Sequence, residues 1–260
     1  GLGDVYKRQV LEIPGIEQEK TKSIKVTYKR LLLYGGARKS EHNNTFKAAA
    51  EVVKKDYGND GEIILIKIEG GGQFVVNKIN SYSDNSIQSI DFFTHGNDRS
   101  LLFKFDDSKN YQELYINDTE EQEQGITFWD RLGSLIGIGL DPDENKNGAD
   151  ISEINYNVFT NSAKIEFHGC NTASEPKQEE KIELEKKKIP INFASEFSKR
   201  LYNAGKERAV VIGHITKANP NGIKNDYRHG TRRVYHNGKE LFLYKKEGRI
   251  LGSEIKEHLK

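Results

Sequence analysis

The chain has 260 residues, and its 40 basic and 39 acidic residues leave a formal charge of only +1. This balance gives no reason to expect nucleic acid or an anionic membrane as a partner. No apolar run approaches the roughly 18 residues of a transmembrane helix, and the first residues lack the apolar segment of a secretory signal. We therefore expect a chain without a membrane partner that is either cytoplasmic or a delivered effector. Its single cysteine excludes an internal disulfide and a cysteine-rich zinc site.

The domain is expected to span residues 24–250. Residues 1–23 form a leader whose opening resembles a sequencing artefact, and residues 251–260 form a tail. Short apolar runs predict strands at Ile24–Tyr34, Ile63–Ile68, Ile87–Thr94, Ala163–His168 and Ala209–Thr216. Helical periodicity predicts a helix capped by Asn43, Asn44 and Thr45 that stops at Gly58, a short helix over Phe74–Tyr82, and an amphipathic helix over Asn192–Gly205. This alternation predicts an α/β fold, a three-layer sandwich with a mostly parallel central sheet.

One polar segment alternates side-chain oxygens around a glycine. Ca²⁺ takes six to eight oxygen ligands, so this segment could supply part of a calcium site. Its ligands would be Asp141, Asp143, Asn145, Asn147 and Asp150. The spacing is not that of an EF-hand, and such clusters are common in ordinary turns, so a turn without metal is the alternative. No complete set of metal ligands is visible elsewhere, and we otherwise expect chemistry without a cofactor.

The second half of the chain contains a charged run and a turn signal. Residues 174–188 carry many lysines and glutamates, and we expect a solvated loop or a frayed helix within a surface segment over residues 174–190. Further on, Arg233–Lys246 alternates around Asn237 and Gly238. An Asn-Gly pair between alternating runs predicts a C-terminal β-hairpin.

Two predicted strands stop abruptly at a glycine and place a reactive side chain there. One ends in His95 and Gly96, and the other in Gly169 and Cys170. The carboxyl ends of parallel strands meet at one edge of a sheet, where ligands bind. The sequence therefore predicts an imidazole near a thiol at this edge, which is the minimal requirement for a thiol nucleophile with a base.

These motifs, in this order on two strands of a parallel α/β unit and before a helix, resemble the clan CD cysteine peptidases, which include caspases, gingipains, clostripain and separase. The local sequences are closer to bacterial caspase-like domains. The resemblance implies a peptide or protein substrate and a thioester acyl-enzyme. It further implies that Cys170 is the nucleophile, that His95 is the general acid for the leaving amine, and that the backbone N–H groups of Gly96 and Cys170 form an oxyanion hole.

Several alternatives stay open. His168 lies two residues before Cys170, so its imidazole could act on the thiol instead of His95. The same fold could serve as a binding module without catalysis. A nuclease effector using His229 and His236 is a third possibility, although the neutral net charge argues against it. The charged run after Cys170 could be a linker that is cleaved, and the domain could be the effector module of a bacterial toxin.

Overall fold

The computed structural model describes residues 27–37, 39–104, 112–116, 147–187, 189–218 and 226–259. Seven strands form one central sheet with flanking helices, which confirms the predicted α/β class. In chain order these strands are β1 (Lys29–Gly35), β2 (Glu62–Ile68), β3 (Ile87–Phe93), β8 (Phe159–Phe167), β9 (Val210–His214), β10 (Arg232–His236) and β11 (Lys239–Tyr244). A smaller sheet contains β4 (His95–Gly96), β5 (Ser100–Leu102), β6 (Leu114–Tyr115) and β7 (Ala149–Asp150).

Five neighbouring strands of the central sheet are parallel, in the order β2-β1-β3-β8-β9. The sheet continues through β10 and β11, each of which is antiparallel to the strand before it. Asn237 and Gly238 connect these two strands, and their φ angles of 49° and 73° are left-handed, as a two-residue connection of this kind requires. Because β3 and β8 are parallel neighbours, their carboxyl ends lie at the same edge of the sheet.

Helices cover both faces of the central sheet. They are α1 (Ser40–Tyr57), α2 (Gly72–Asn80), α3 (Gln178–Lys186), α4 (Phe193–Asn203) and α5 (Gly252–His258). Side chains alternate between the two faces of a strand, so Leu31 and Leu33 pack with α2 and α4, whereas Leu32 packs with α1. This arrangement is compatible with the predicted three-layer sandwich. Among the described residues, no helix is long and apolar enough to cross a membrane.

The start of α1 differs from the sequence prediction. The helix begins at Ser40, so Asn43, Asn44 and Thr45 lie inside its first turns and the predicted cap is wrong. The Asn43 side chain instead accepts a hydrogen bond from the N–H of Ala37 at 2.9 Å and donates one to the carbonyl of Ala37 at 2.6 Å. The asparagine thus holds the chain that enters the helix, which local propensity alone does not reveal.

Two segments outside the predicted core have regular structure. Helix α5 lies within residues 251–260, which the sequence analysis assigns to a tail, and its Ile255 packs on Val210, Ile212 and Val234. Helix α3 lies within the charged run and has no buried residue. The first segment therefore contributes to the packing of the sheet, whereas the second lies on the surface.

Candidate active site

The His95 and Cys170 motifs meet where β3 and β8 end. A Cβ atom added to Gly169 would lie 3.2 Å from both Cα and N of Gly96 and 3.3 Å from the carbonyl carbon of His95. The two backbones approach this closely because Gly169 has no side chain, and a methyl group there would push the two strand ends apart by a few tenths of an ångström. The contact places His95 and Cys170, each one residue away from it, at the same edge of the sheet.

His95 lies in a half-buried, mostly aromatic pocket. Its ring centroid is 5.2 Å from that of Phe46 and 5.5 Å from that of His42, both in edge-on contacts. Burial lowers the pKa of His95 below its usual value of 6.5, and the proximity of His42 lowers it further. The His95 imidazole is therefore neutral at neutral pH and can accept a proton.

Cys170 is also partly buried, in a turn that follows β8. Its Sγ atom is 3.7 Å from the carbonyl oxygen of Ala218, which accepts a weak S–H hydrogen bond. Burial raises the pKa of Tyr227 above its usual value of 10, and the negative charge of a Cys170 thiolate would raise this pKa further. The next residue after the cysteine, Asn171, has a left-handed φ of 58°, and its N–H donates to the carbonyl of Thr216 at 3.0 Å. The turn therefore holds the thiol near the sheet edge.

Two backbone N–H groups at this edge are candidates for an oxyanion hole. Asn97 donates its N–H to the carbonyl of Ser100 at 2.9 Å. Hydrogen-bonded and non-hydrogen-bonded pairs alternate in an antiparallel ladder, so the next pair, Gly96 with Leu101, is non-hydrogen-bonded. The N–H of Gly96 therefore points away from β5. In the part of the chain that the structure describes, no acceptor is found for the N–H of Cys170.

His168 lies in different surroundings from His95. Its side chain is buried, and its Nε2 atom is 3.2 Å from Oδ1 of Asp91. Its ring stacks on Phe93 with centroids 4.4 Å apart and an interplanar angle of 9°. The hydroxyl of Tyr57 donates to the other oxygen of Asp91 at 2.8 Å. His168 is thus part of a hydrogen-bonded chain beneath the sheet, on the face that α1 covers.

This chain adjoins a buried ionic network on the same face. Glu166 accepts hydrogen bonds from Arg232 at 2.7 Å and from Lys164 at 3.1 Å. Burial alone would raise the pKa of Glu166, but Lys164, His168 and the arginines outweigh it and hold this pKa well below its usual range. Arg228 in turn pairs with Asp226 at 2.7 Å and with Asp56.

The network contains one group of side chains with the donor atoms of a metal site. The ligand atoms of Asp91, Glu166 and His168 lie within 4.8 Å of one another, and all three residues are buried. However, Arg232 and Lys164 already neutralise Glu166. A divalent cation would have to enter beside these two positive charges, so the network explains the group better than a metal does.

The predicted calcium ligands lie mostly outside the described residues. Asp141, Asp143 and Asn145 are among those outside, whereas Asn147 and Asp150 are described. A carboxylate oxygen of Asp150 accepts the N–H of Ser152 at 2.6 Å and caps a short 3₁₀ helix. The backbone carbonyl of Asn147 accepts the N–H of Gln73 at 3.0 Å. These contacts give both residues a structural role.

The two histidines of the nuclease hypothesis are not brought together. His229 precedes β10 and lies beside His214, with ring centroids 6.2 Å apart. His236 ends β10, where its Nε2 atom is 2.7 Å from the carbonyl oxygen of Glu207. Because β10 separates them, the two imidazoles lie at opposite ends of this strand and cannot act on one phosphodiester.

Comparisons of the chain with protein-family models, with curated proteins and with solved structures found no match. The site must therefore be interpreted from its own geometry. Three residues near it, His42, Tyr227 and Asp91, were not singled out from the sequence. Only Asp91 carried a signal, because a carboxylate inside an otherwise apolar strand requires a buried partner.

Proposed function

We propose that the chain is a cysteine endopeptidase of the caspase-like clan, with Cys170 as the nucleophile and His95 as its proton partner. One observation carries this proposal: the backbone contact between Gly96 and Gly169 joins the ends of two neighbouring parallel strands. It brings the motif with the imidazole and the motif with the thiol to one edge of the sheet. The order of the two motifs on the strands is the one on which the resemblance to this clan depends.

The proposed reaction uses His95 twice. The neutral imidazole first accepts the proton of the Cys170 thiol, and the thiolate attacks the carbonyl carbon of a peptide bond. The carbon–nitrogen bond then breaks, and the imidazolium returns its proton to the leaving amine. Water hydrolyses the resulting thioester, which releases the carboxylic acid product and restores the thiol. Because the pKa of His95 is lowered, its imidazole is unprotonated before the first step.

The N–H of Gly96 and the N–H of Cys170 would stabilise the oxyanion that forms during attack. Asp91 distinguishes the two candidate bases, His95 and His168. It engages His168 inside the fold at 3.2 Å, whereas His95 lies in the half-buried pocket at the sheet edge. This difference favours His95 as the group that exchanges protons with substrate, and it leaves His168 a structural role.

The charged segment after Cys170 fits a removable linker in a bacterial effector or toxin module. Its helix α3 has no buried residue, and Ile182 is 42% exposed. Cleavage there would break few contacts, so a protease could remove the helix without unfolding the sheet. Intact mass of the purified protein after incubation tests this extension. A full-length mass that persists while peptide substrate is hydrolysed would exclude processing as a requirement.

The proposal is tested by incubating the protein with a library of quenched peptides, alongside Cys170→Ala. We expect hydrolysis by the wild type and none by the variant. Denaturing mass spectrometry during turnover should show an acyl adduct on Cys170, the chain's single cysteine. A folded wild type that hydrolyses no peptide and forms no adduct would instead indicate a binding module.

A further inference from the structure

A cavity lies at the amino edge of the sheet, opposite the candidate active site. It is lined by residues near the beginnings of β1, β3 and β9, by Ser162 and Lys164 of β8, and by α5 with the segment before it. Its volume is about 210 Å³. The strands are parallel, so their beginnings share the edge that faces away from His95 and Cys170. The cavity is therefore separate from the proposed catalytic pocket, and Lys164 connects it to the ionic network around Glu166.

The cavity concentrates positive charge in a chain that is almost neutral overall. Five basic side chains line it, and none of the described lining residues is acidic. The basic residues are Arg30, Lys164, Arg208, Arg249 and Lys256. They come from four separate parts of the chain, so their convergence is a property of the fold and not of one basic run.

Nearby carboxylates neutralise only part of this charge. Asp60 lies 2.6 Å from Arg30 and 4.0 Å from Arg249, and Glu166 pairs with Lys164 at 3.1 Å. Within the described ranges, no carboxylate lies within ion-pair distance of Arg208 or of Lys256. The cavity thus keeps a surplus of cations, and their mutual repulsion favours the entry of an anion.

The Tyr57 ring lies against two of the guanidinium groups that line the cavity. Arg30 and Arg249 each lie 4.7 Å from the centroid of its ring, and Lys164 lies 6.0 Å from it. The Tyr57 hydroxyl is held by Asp91 at 2.8 Å, so the ring is anchored in the core. Arginines stacked in this way are preorganised, and less side-chain freedom is lost when they bind a ligand.

We propose that this cavity binds a small phosphate-bearing anion, with Arg208, Arg249 and Lys256 as its principal ligands and the Ser162 hydroxyl as a neutral donor. A phosphate group presents oxygens in a tetrahedral arrangement and carries up to two charges. It can therefore accept hydrogen bonds from cations that approach from the residues just before β9, from α5 and from the segment between β11 and α5. A planar carboxylate offers fewer directions and only one charge.

The inference does not rest on the proposed peptidase activity, and its test measures binding alone. Inorganic phosphate, glycerol phosphate and tripolyphosphate are titrated into the full chain by calorimetry at low ionic strength. We expect a Kd below about 1 mM for at least one of these probes. The probe with the tightest binding indicates whether free phosphate, an organic monophosphate or a polyphosphate is the preferred form.

The double variant Arg208→Ala/Lys256→Ala removes two exposed cavity cations with little risk to the fold. It should weaken binding at least about tenfold, because each removes a charged hydrogen-bond donor. The matched control Lys47→Ala/Lys67→Ala removes the same charge from the surface elsewhere and should bind like the wild type. Thermal unfolding gives a second readout, since the anion should raise the Tm of the wild type and of the control but not that of the cavity variant.

Three results would overturn the inference. The first is a wild type that binds none of the phosphates. The second is a cavity variant that binds as tightly as the control, which would mean that binding is diffuse and not located in this cavity. The third is equal affinity for citrate and for tripolyphosphate, which would show that charge alone and not phosphate geometry is recognised.

Discussion

The two histidines that flank the candidate nucleophile belong to regions of opposite character. His95 lies half-buried in edge-on contact with the rings of His42 and Phe46. His168 is buried, bonded to Asp91 and stacked on Phe93. His168 is held inside the fold by Asp91, whereas His95 is partly exposed at the sheet edge, so the proposed mechanism assigns the proton transfers to His95. The comparison teaches that the histidine nearer to the cysteine in sequence is the one whose imidazole is already engaged by a buried carboxylate.

The largest expected effect on activity comes from replacing His95 and His168, one at a time, with glutamine. His95→Gln should lower kcat/KM for peptide hydrolysis by about 10²- to 10⁴-fold, because a general acid–base group is lost. His168→Gln should lower it by less than about tenfold, because the glutamine amide can still donate to Asp91. Steady-state kinetics on folded, matched preparations measure both. The comparison fails if the two variants lose activity equally.

Separating the two strand ends should also impair catalysis. Gly169→Ala places a methyl group 3.2 Å from the backbone of Gly96, so the two motifs must move apart by a few tenths of an ångström. We expect a loss of kcat/KM of about tenfold or more, since catalysis is sensitive to small misplacements. Thermal unfolding checks that the variant remains folded. Full activity in this variant would show that the contact does not position the site.

The buried ionic network around Glu166 should contribute more to the free energy of unfolding than a surface ion pair does. Glu166→Leu leaves the buried Arg232 and the partly buried Lys164 without their carboxylate, and breaking such a buried pair costs about 3–5 kcal/mol in free energy of unfolding. The matched change Glu62→Leu removes the surface ion pair with Lys29 and should cost at most about 1 kcal/mol. Urea denaturation measures both. Equal losses would mean that the network contributes no more than a surface pair.

The smallest effect is a pH dependence from His214. Burial, followed by His168 and Arg232, lowers the pKa of this imidazole to about 3. The unfolded chain binds its proton near pH 6.5, so stability is present above about pH 6.5 and is lost as the pH falls toward 3, by at most about 1.4 kcal/mol per pH unit.

In the variant His214→Gln, the free energy of unfolding should fall less steeply as the pH is lowered. The free energies of unfolding of the wild type and the variant are compared between about pH 5 and 6.5, above the range in which glutamates titrate. The pKa of His95 is also lowered, but His95 is present in both proteins and its contribution cancels. Identical slopes in the two proteins would show that His214 is not buried in its neutral form.

Much of the fold follows from local patterns in the sequence. Short apolar runs identified β2, β3, β8 and β9, and the rule that parallel strands share an edge led to the pairing of the His95 and Cys170 motifs. The order of the strands in the sheet could not be predicted in the same way. β1 lies between β2 and β3, and nothing in the sequence of β1 specifies its neighbours.

The buried charges were missed for a physical reason. Lys164, Glu166 and His168 alternate along β8, and period-two alternation usually means that one face meets water. In the fold this face is covered, and partners from distant segments neutralise it, among them Asp91 and Arg232. A sequence pattern shows that two faces differ, but it does not show whether the polar face meets solvent or other charges.

The most direct test of the account is the rate at which Cys170 is alkylated at neutral pH, followed by intact mass. With one cysteine in the chain, the labelled site is unambiguous. The account predicts that the wild type and His168→Gln react at similar rates, and that His95→Ala reacts at least about tenfold more slowly, because its thiol has lost the imidazole that accepts the proton. Equal rates for the wild type and His95→Ala, or a slow reaction confined to His168→Gln, would contradict it.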